Sequence, residues 1–372
     1  MSQLRLPAYG TAALADLLPS VTAHLGVPGC RPDVLGLPSA KRYVVLLIDG
    51  LGWHPVTSAL ASAPFFTDAL ARARRLTVGV PSTTVTSLTS LGTGMSPGMH
   101  GIAGLTMRDT VADRIFSPLA WDTPTPPAEL QPMPTLFERA RAEGVTVTTV
   151  LPARFKGSGL TVAGLRGGLF EPLDDEHDDE DRLARTVAAA ARGDRSLVYV
   201  YDRLLDHAGH AHGTTSSQWL RQLQRLDVFA AELRERLPRD TVLVITGDHG
   251  MVDVPPHHRV VMEDEPELMQ GVEMIGGEAR LRQLYTSAPD EVAARWAARL
   301  GERAWVRTRQ QAVEEGWLGK VAPRVAARFG DVLVAMQDDW AVLTQQLPGE
   351  FTLVGMHGSL TPREMDVPLI VA

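Results

Sequence analysis

Short apolar runs alternate along this chain with longer stretches in which apolar residues recur every three or four positions. The runs read as buried strands: Tyr43–Ile48, Leu76–Val80, Val145–Val150, Leu197–Tyr201, Thr241–Thr246 and Val367–Val371 are rich in β-branched and aliphatic residues. The longer stretches read as helices over 11–18, 55–75, 136–143, 182–192 and 216–236. A further helix opens after Pro81 and closes at Gly92 and Gly94, since proline suits a first turn and glycine a helix end. Strand–helix alternation predicts an α/β fold, a mostly parallel central sheet with helices on both faces.

The pattern loosens between 258 and 350. Strand-like runs at 281–285 and 332–336, an apolar 304–306 and a helix over 289–300 predict an inserted α/β subdomain at 259–349. The core then comprises 1–258 and 350–372, with Phe351–Val354 returning to the main sheet.

Composition narrows the function classes. Hydrophobic residues at 44% and charged residues at 22% are globular values. A net charge of −8 gives no basic field for a nucleic-acid scaffold. A small anionic substrate stays open, because a metal reverses the local sign. Cys30 is the lone cysteine, so no intramolecular disulfide forms, as expected of a reducing compartment. The first twenty residues make a poor signal peptide, interrupted by Asp16, and no apolar run approaches the ~20 residues of a membrane helix. The expectation is a soluble cytoplasmic protein.

Three predicted strands deliver polar groups at their ends. Asp49 follows the first, Asp202 ends another with Asp206 and His210 just beyond, and Asp248-His249 follows Thr241–Thr246. Asp206 and His210 are four apart and share one face of a helical turn. Asp49, Asp206 and Asp248 together with His210, His249 and His357 make three carboxylates and three imidazoles, a donor set that suits Zn²⁺, with Mn²⁺ or Fe as alternatives. An aspartate after a strand is also a common helix cap, so joint occurrence carries the signal. PSTTVTSLTSLGTG at 81–94 admits two readings, a small-residue packing face or a hydroxyl nucleophile at a helix N-terminus. The acidic run 174–181 reads as a surface loop or helix N-terminus. His207 and His212 flank the Asp206/His210 pair, whereas His257 and His258 read as structural or exposed. Trp53, Trp121, Phe155 and Tyr201 are base-stacking or core aromatics.

Taken in order, VVLLIDG, PSTTVTS, DHAGHAHG, TGDHGM and GMHGS resemble the alkaline phosphatase superfamily, nearest its type I phosphodiesterase/nucleotide pyrophosphatase branch. The resemblance covers roughly 40–260 and 350–372. It implies two divalent metals, most often zinc. Asp49, Asp248 and His249 would hold one together with the Thr84 oxygen, and Asp206, His210 and His357 the other. Thr84 would be the nucleophile, with Ser82 and Thr83 as neighbouring competitors. The implied activity is hydrolysis of a small phosphorylated substrate, a nucleotide among them, or else of a phosphomonoester or phosphonate. Thr86-Ser87 stand where nucleotide-cleaving members carry Pro-Asn, which leaves the substrate class open.

Overall fold

Strands with apolar side chains on both faces must be covered on both faces, and this sheet is. A computed structural model describes residues 3–372. Seven strands lie in the order Arg74–Thr77, Asp366–Val371, Thr241–Gly247, Arg42–Ile48, Ser196–Asp202, Thr146–Pro152, Leu169–Leu173. The last five run parallel, and Asp366–Val371 is antiparallel to both its neighbours. Along Arg42–Ile48 the side chains of Tyr43, Val45 and Leu47 enter one apolar cluster while Val44, Leu46 and Ile48 enter another. The two-residue period of a strand sends them to opposite sides. Each such fully buried side chain contributes roughly 1.5–3 kcal/mol. Ile48 pairs in register with both Asp202 and Gly247, so the three central strands stop at one level. The residues just after them emerge together, at the carboxyl edge where open α/β sheets place ligands.

Several elements depart from the sequence pattern. The predicted 55–75 helix breaks into Trp53–Ser58, the short turn Leu60–Ser62 and Pro64–Leu70, because Pro64 has no N–H to continue the first segment. Arg74 and Arg75 open an edge strand, where charge discourages further pairing. The N-terminal helix forms later than expected, at Leu17–His24. Phe351–Val354 does not rejoin the main sheet. Both edges of Thr241–Gly247 are already taken, and Pro348–Thr352 makes a 3₁₀ turn instead. Gly355–Met356 then pairs antiparallel with Val252–Asp253. The acidic run forms a helix N-terminus, with Asp178 capping Asp179–Ala190.

Within 259–349 a four-stranded antiparallel sheet packs on its own apolar cluster around Trp296, Leu284 and Val334. Buried ion pairs of Arg280 with Glu364 and of Arg282 with Glu350 tie it to the main body, along with Leu281, Trp317 and Phe329 in the main apolar cluster. Arg280 donates through Nε and Nη2 to Glu364, at 3.0 and 2.7 Å, with both side chains fully buried. Glu364 also accepts from the Ser359 amide and the Thr361 hydroxyl. Arg280→Met should therefore cost about 3 kcal/mol, the lower end for an orphaned buried charge, because Glu364 keeps two donors. Urea unfolding checks this, and an unchanged midpoint would refute it.

Candidate metal and phosphoryl-transfer site

The strand ends bring all seven sequence-predicted residues into one cluster. Asp49 follows Arg42–Ile48, Asp248 and His249 follow Thr241–Gly247, and Asp206 and His210 lie on the helix Leu204–His212. His357 follows Gly355–Met356, and Thr84 is the first residue of the helix Thr84–Thr93. The Thr84 hydroxyl lies 3.1 Å from His249 Nε2 and 3.5 Å from Asp49 Oδ1. His249 Nε2 is 3.3 Å from Asp49 Oδ1 and 3.6 Å from Asp248 Oδ2. On the other side His210 Nε2 is 3.4 Å from Asp206 Oδ2, and His357 Nε2 is 4.0 Å from Asp206 Oδ1. The His249 and His357 rings stack at 3.6 Å between centroids, joining the two halves.

Hydrogen bonds fix the imidazoles in one orientation. Nδ1 of His210, His249 and His357 meets the carbonyl oxygens of Gly355, Gly250 and Ser82, at 2.7, 2.9 and 2.9 Å. A carbonyl can only accept, so each Nδ1 donates and each Nε2 is presented to the site. His210 and His357 consequently point two Nε2 atoms at each other across 3.3 Å. Two lone pairs at that separation repel unless a cation stands between or beside them. Asp206 Oδ1 and Asp248 Oδ2 are buried and lack hydrogen-bond partners.

The electrostatics agree. Burial, reinforced by the Asp49 charge, pushes Asp206 and Asp248 well above the usual carboxylate range. His249 is raised to about 10: burial works against its charge, but the Asp248 and Asp49 carboxylates overcome it. Burial and the His249 charge depress His357 and His210. Asp49 stays below its usual range despite its burial, through hydrogen bonds from His249 and Tyr201. The cluster sets three carboxylates against one imidazolium and presents oxygen and nitrogen donors, which fits divalent metal binding.

The cluster opens on a cavity of about 510 Å³, lined also by Arg154, Phe155, Arg203 and Glu278. Arg154 and Arg203 both donate to Glu176. Glu278 is buried and raised to about 8, chiefly by that burial. No sequence motif marked Arg154, Arg203 or Glu278. Phe155 and Tyr201 do line the cavity, whereas Trp121 packs edge-on against Phe116 and Trp53 lies under Arg75. His258 stacks on Trp340 and pairs with Asp339. Ser82 donates to the Ser359 carbonyl, and Thr83 is buried as the helix N-cap residue. Thr84 is thus the least buried hydroxyl of the three. Thr86 and Ser87 are fully buried and absent from the cavity wall, with the Thr86 hydroxyl on the Ile102 carbonyl.

Comparison with known proteins places this geometry. Murine ectonucleotide pyrophosphatase / phosphodiesterase 5 superimposes with a TM-score of 0.71 at 18% identity, over 88% of this chain and 87% of that one. An inactive variant of that protein has been solved in complex with AMP. Phosphonoacetate hydrolase from Sinorhizobium meliloti 1021, in complex with phosphonoacetate, gives a TM-score of 0.70 at 17% identity, over 92% of each chain. These likenesses establish a shared fold. Phosphopentomutase of Anaeromyxobacter dehalogenans is 29% identical over 174 residues, a match spanning 45% of this chain and only 41% of that enzyme. The family model for type I phosphodiesterase / nucleotide pyrophosphatase matches residues 43–360, nearly the whole sheet and everything inserted into it. The chain therefore belongs to the type I phosphodiesterase / nucleotide pyrophosphatase family, within the alkaline phosphatase superfamily.

Proposed function

We propose that this protein is a two-metal phosphodiesterase or pyrophosphatase in which the Thr84 hydroxyl attacks phosphorus. The supporting observation is the position of Thr84, 3.1 Å from His249 Nε2 on the wall of the cavity and at the first turn of a helix. Asp49, Asp248 and His249 would hold one ion beside Thr84, and Asp206, His210 and His357 the second, with zinc the best match to these donors. Such ions supply Lewis-acid charge that lowers the hydroxyl pKa and offsets charge on a leaving oxygen.

The chain's own groups do the rest. The Thr83 side chain makes no capping hydrogen bond, so the first N–H groups of Thr84–Thr93 are available to phosphoryl oxygens. Tyr201 donates its hydroxyl to Asp49 Oδ2 and Gly50 its amide to Asp248 Oδ1, which hold both carboxylates in place. Phe155 offers a face against which a flat leaving group can lie. The substrate would be a small phosphorylated molecule, a nucleotide among the candidates. The lone Cys30 agrees with a cytoplasmic setting. Among the described residues no helix is long and apolar enough to cross a membrane.

Phosphonate hydrolysis is the second reading. It is favoured by Arg154 and Arg203 on the cavity wall, cations suited to a second anionic group. Initial rates on bis(p-nitrophenyl) phosphate, p-nitrophenyl phosphate and phosphonoacetate decide between them. The diester should exceed the monoester by roughly tenfold or more, a difference of about 1.4 kcal/mol in barrier. Phosphonoacetate as the best substrate would select the second reading, and rates at background on all three would refute both.

A further inference from the structure

Glu278 is a buried carboxylate without an adequate partner, aimed into the cavity. It ends the strand Met274–Glu278, is 3% exposed, and lines the same wall as Thr83 and His357. Neither carboxylate oxygen has a hydrogen bond of acceptable geometry, although the Thr83 hydroxyl leans on it. The nearby basic groups make their hydrogen bonds elsewhere. Arg282 donates to Glu350 and to the Val342 carbonyl. His357 Nδ1 lies 4.0 Å from Glu278 Oε2 but donates to Ser82.

The position is built, not incidental. A Cβ on Gly358 would come within 2.7 Å of Glu278 Cγ, and Gly358 holds φ at +132°. Only glycine lets the backbone beside His357 approach the carboxylate this closely. Without a partner a buried carboxylate takes up a proton, and a cationic ligand group is what would stabilise its charged form in this cavity.

Resting on the hydrolase reading, we propose that Glu278 is a substrate-recognition residue that receives a primary ammonium group, making aminoalkyl phosphate esters or phosphonates the preferred substrate class. The metal site and the Arg154/Arg203 wall would then take the anionic end and Glu278 the cationic end of one molecule.

Isothermal titration of the zinc-loaded protein with 2-aminoethylphosphonate, 2-hydroxyethylphosphonate and propylphosphonate tests this. The amine should bind roughly tenfold or more tighter than the propyl compound, as a charge-assisted hydrogen bond in a buried site allows. In Glu278→Gln that ratio should collapse toward unity. A ratio near one in the native protein, or one that survives in Glu278→Gln, overturns the assignment. An equal gain from the hydroxyl compound overturns recognition by charge. Turnover of bis(p-nitrophenyl) phosphate, p-nitrophenyl phosphate and phosphonoacetate by the same preparation keeps the two ideas separate. Hydrolysis of the diester, the monoester or phosphonoacetate without an amine preference sinks Glu278 alone, whereas an amine preference with background rates on all three sinks the hydrolase reading and leaves Glu278 standing.

Discussion

Thr84→Ala should reduce turnover by a factor on the order of 10⁴ or more, as removal of a nucleophile does, while bound metal stays near that of the native protein. The expectation rests on which hydroxyl the fold makes available. Ser82 is held by the Ser359 carbonyl and itself accepts from the Gly358 amide, so moving it would disturb the loop that carries His357. Thr83 is 1% exposed and leans on Glu278. Thr84 alone of the three reaches both Asp49 and His249 with its oxygen. Thr84→Ser keeps that oxygen but loses the methyl group that restricts its rotamer, and should retain a measurable fraction of the native rate. The checks are p-nitrophenol release, metal content by mass spectrometry, and trapping of a phosphorylated residue by peptide mapping. Phosphate found on Ser82 or Thr83, or full activity in Thr84→Ala, would move the nucleophile elsewhere.

The strand-end groups were legible because a buried parallel strand leaves an unmistakable apolar run, and the residue after it has one place to go. Ile48 in register with Asp202 and Gly247 is the physical reason that Asp49 and Asp248, far apart in sequence, become neighbours. The edges were harder. Leu169–Leu173 contains Pro172 and is half-exposed, so neither its period nor its composition marks a strand. Pro64 did announce the break in the 55–75 segment, where helical spacing on either side masked it. Glu278 and Arg203 carry no pattern at all. Glu278 follows Gly276-Gly277 at the end of the strand Met274–Glu278, and tertiary packing against Gly358 sets its carboxylate in the cavity. Residues that select substrate come from such irregular segments, which is why family membership was readable and specificity was not.

Chelating the metals should lower thermal stability sharply, and the gap between metal-loaded and metal-free protein should widen as pH rises from 6 to 8. The metal-free fold must bury Asp49, Asp206 and Asp248 around one imidazolium, His249. Asp206 and Asp248 titrate well above their unfolded values and His249 at about 10, so between pH 6 and 8 these three groups hold more protons in the metal-free fold than in the unfolded chain. Stability held by such raised groups is present below the unfolded pKa and is lost as pH climbs toward the folded one. Asp49 is shifted the other way, but its contribution changes only in acid, and the lowered His210 and His357 present an unprotonated Nε2 with or without metal, so they leave the gap unchanged. Metal replaces those protons, so its apparent affinity rises with pH. At free zinc a thousand times its Kd, the ion adds about 4 kcal/mol. Differential scanning calorimetry at pH 6 and 8, with zinc or with a chelator, measures the gap. A gap that narrows toward pH 8 would mean that protons and metal do not compete for these carboxylates. Melting unaffected by chelator at both pH values would mean that the cluster holds no metal.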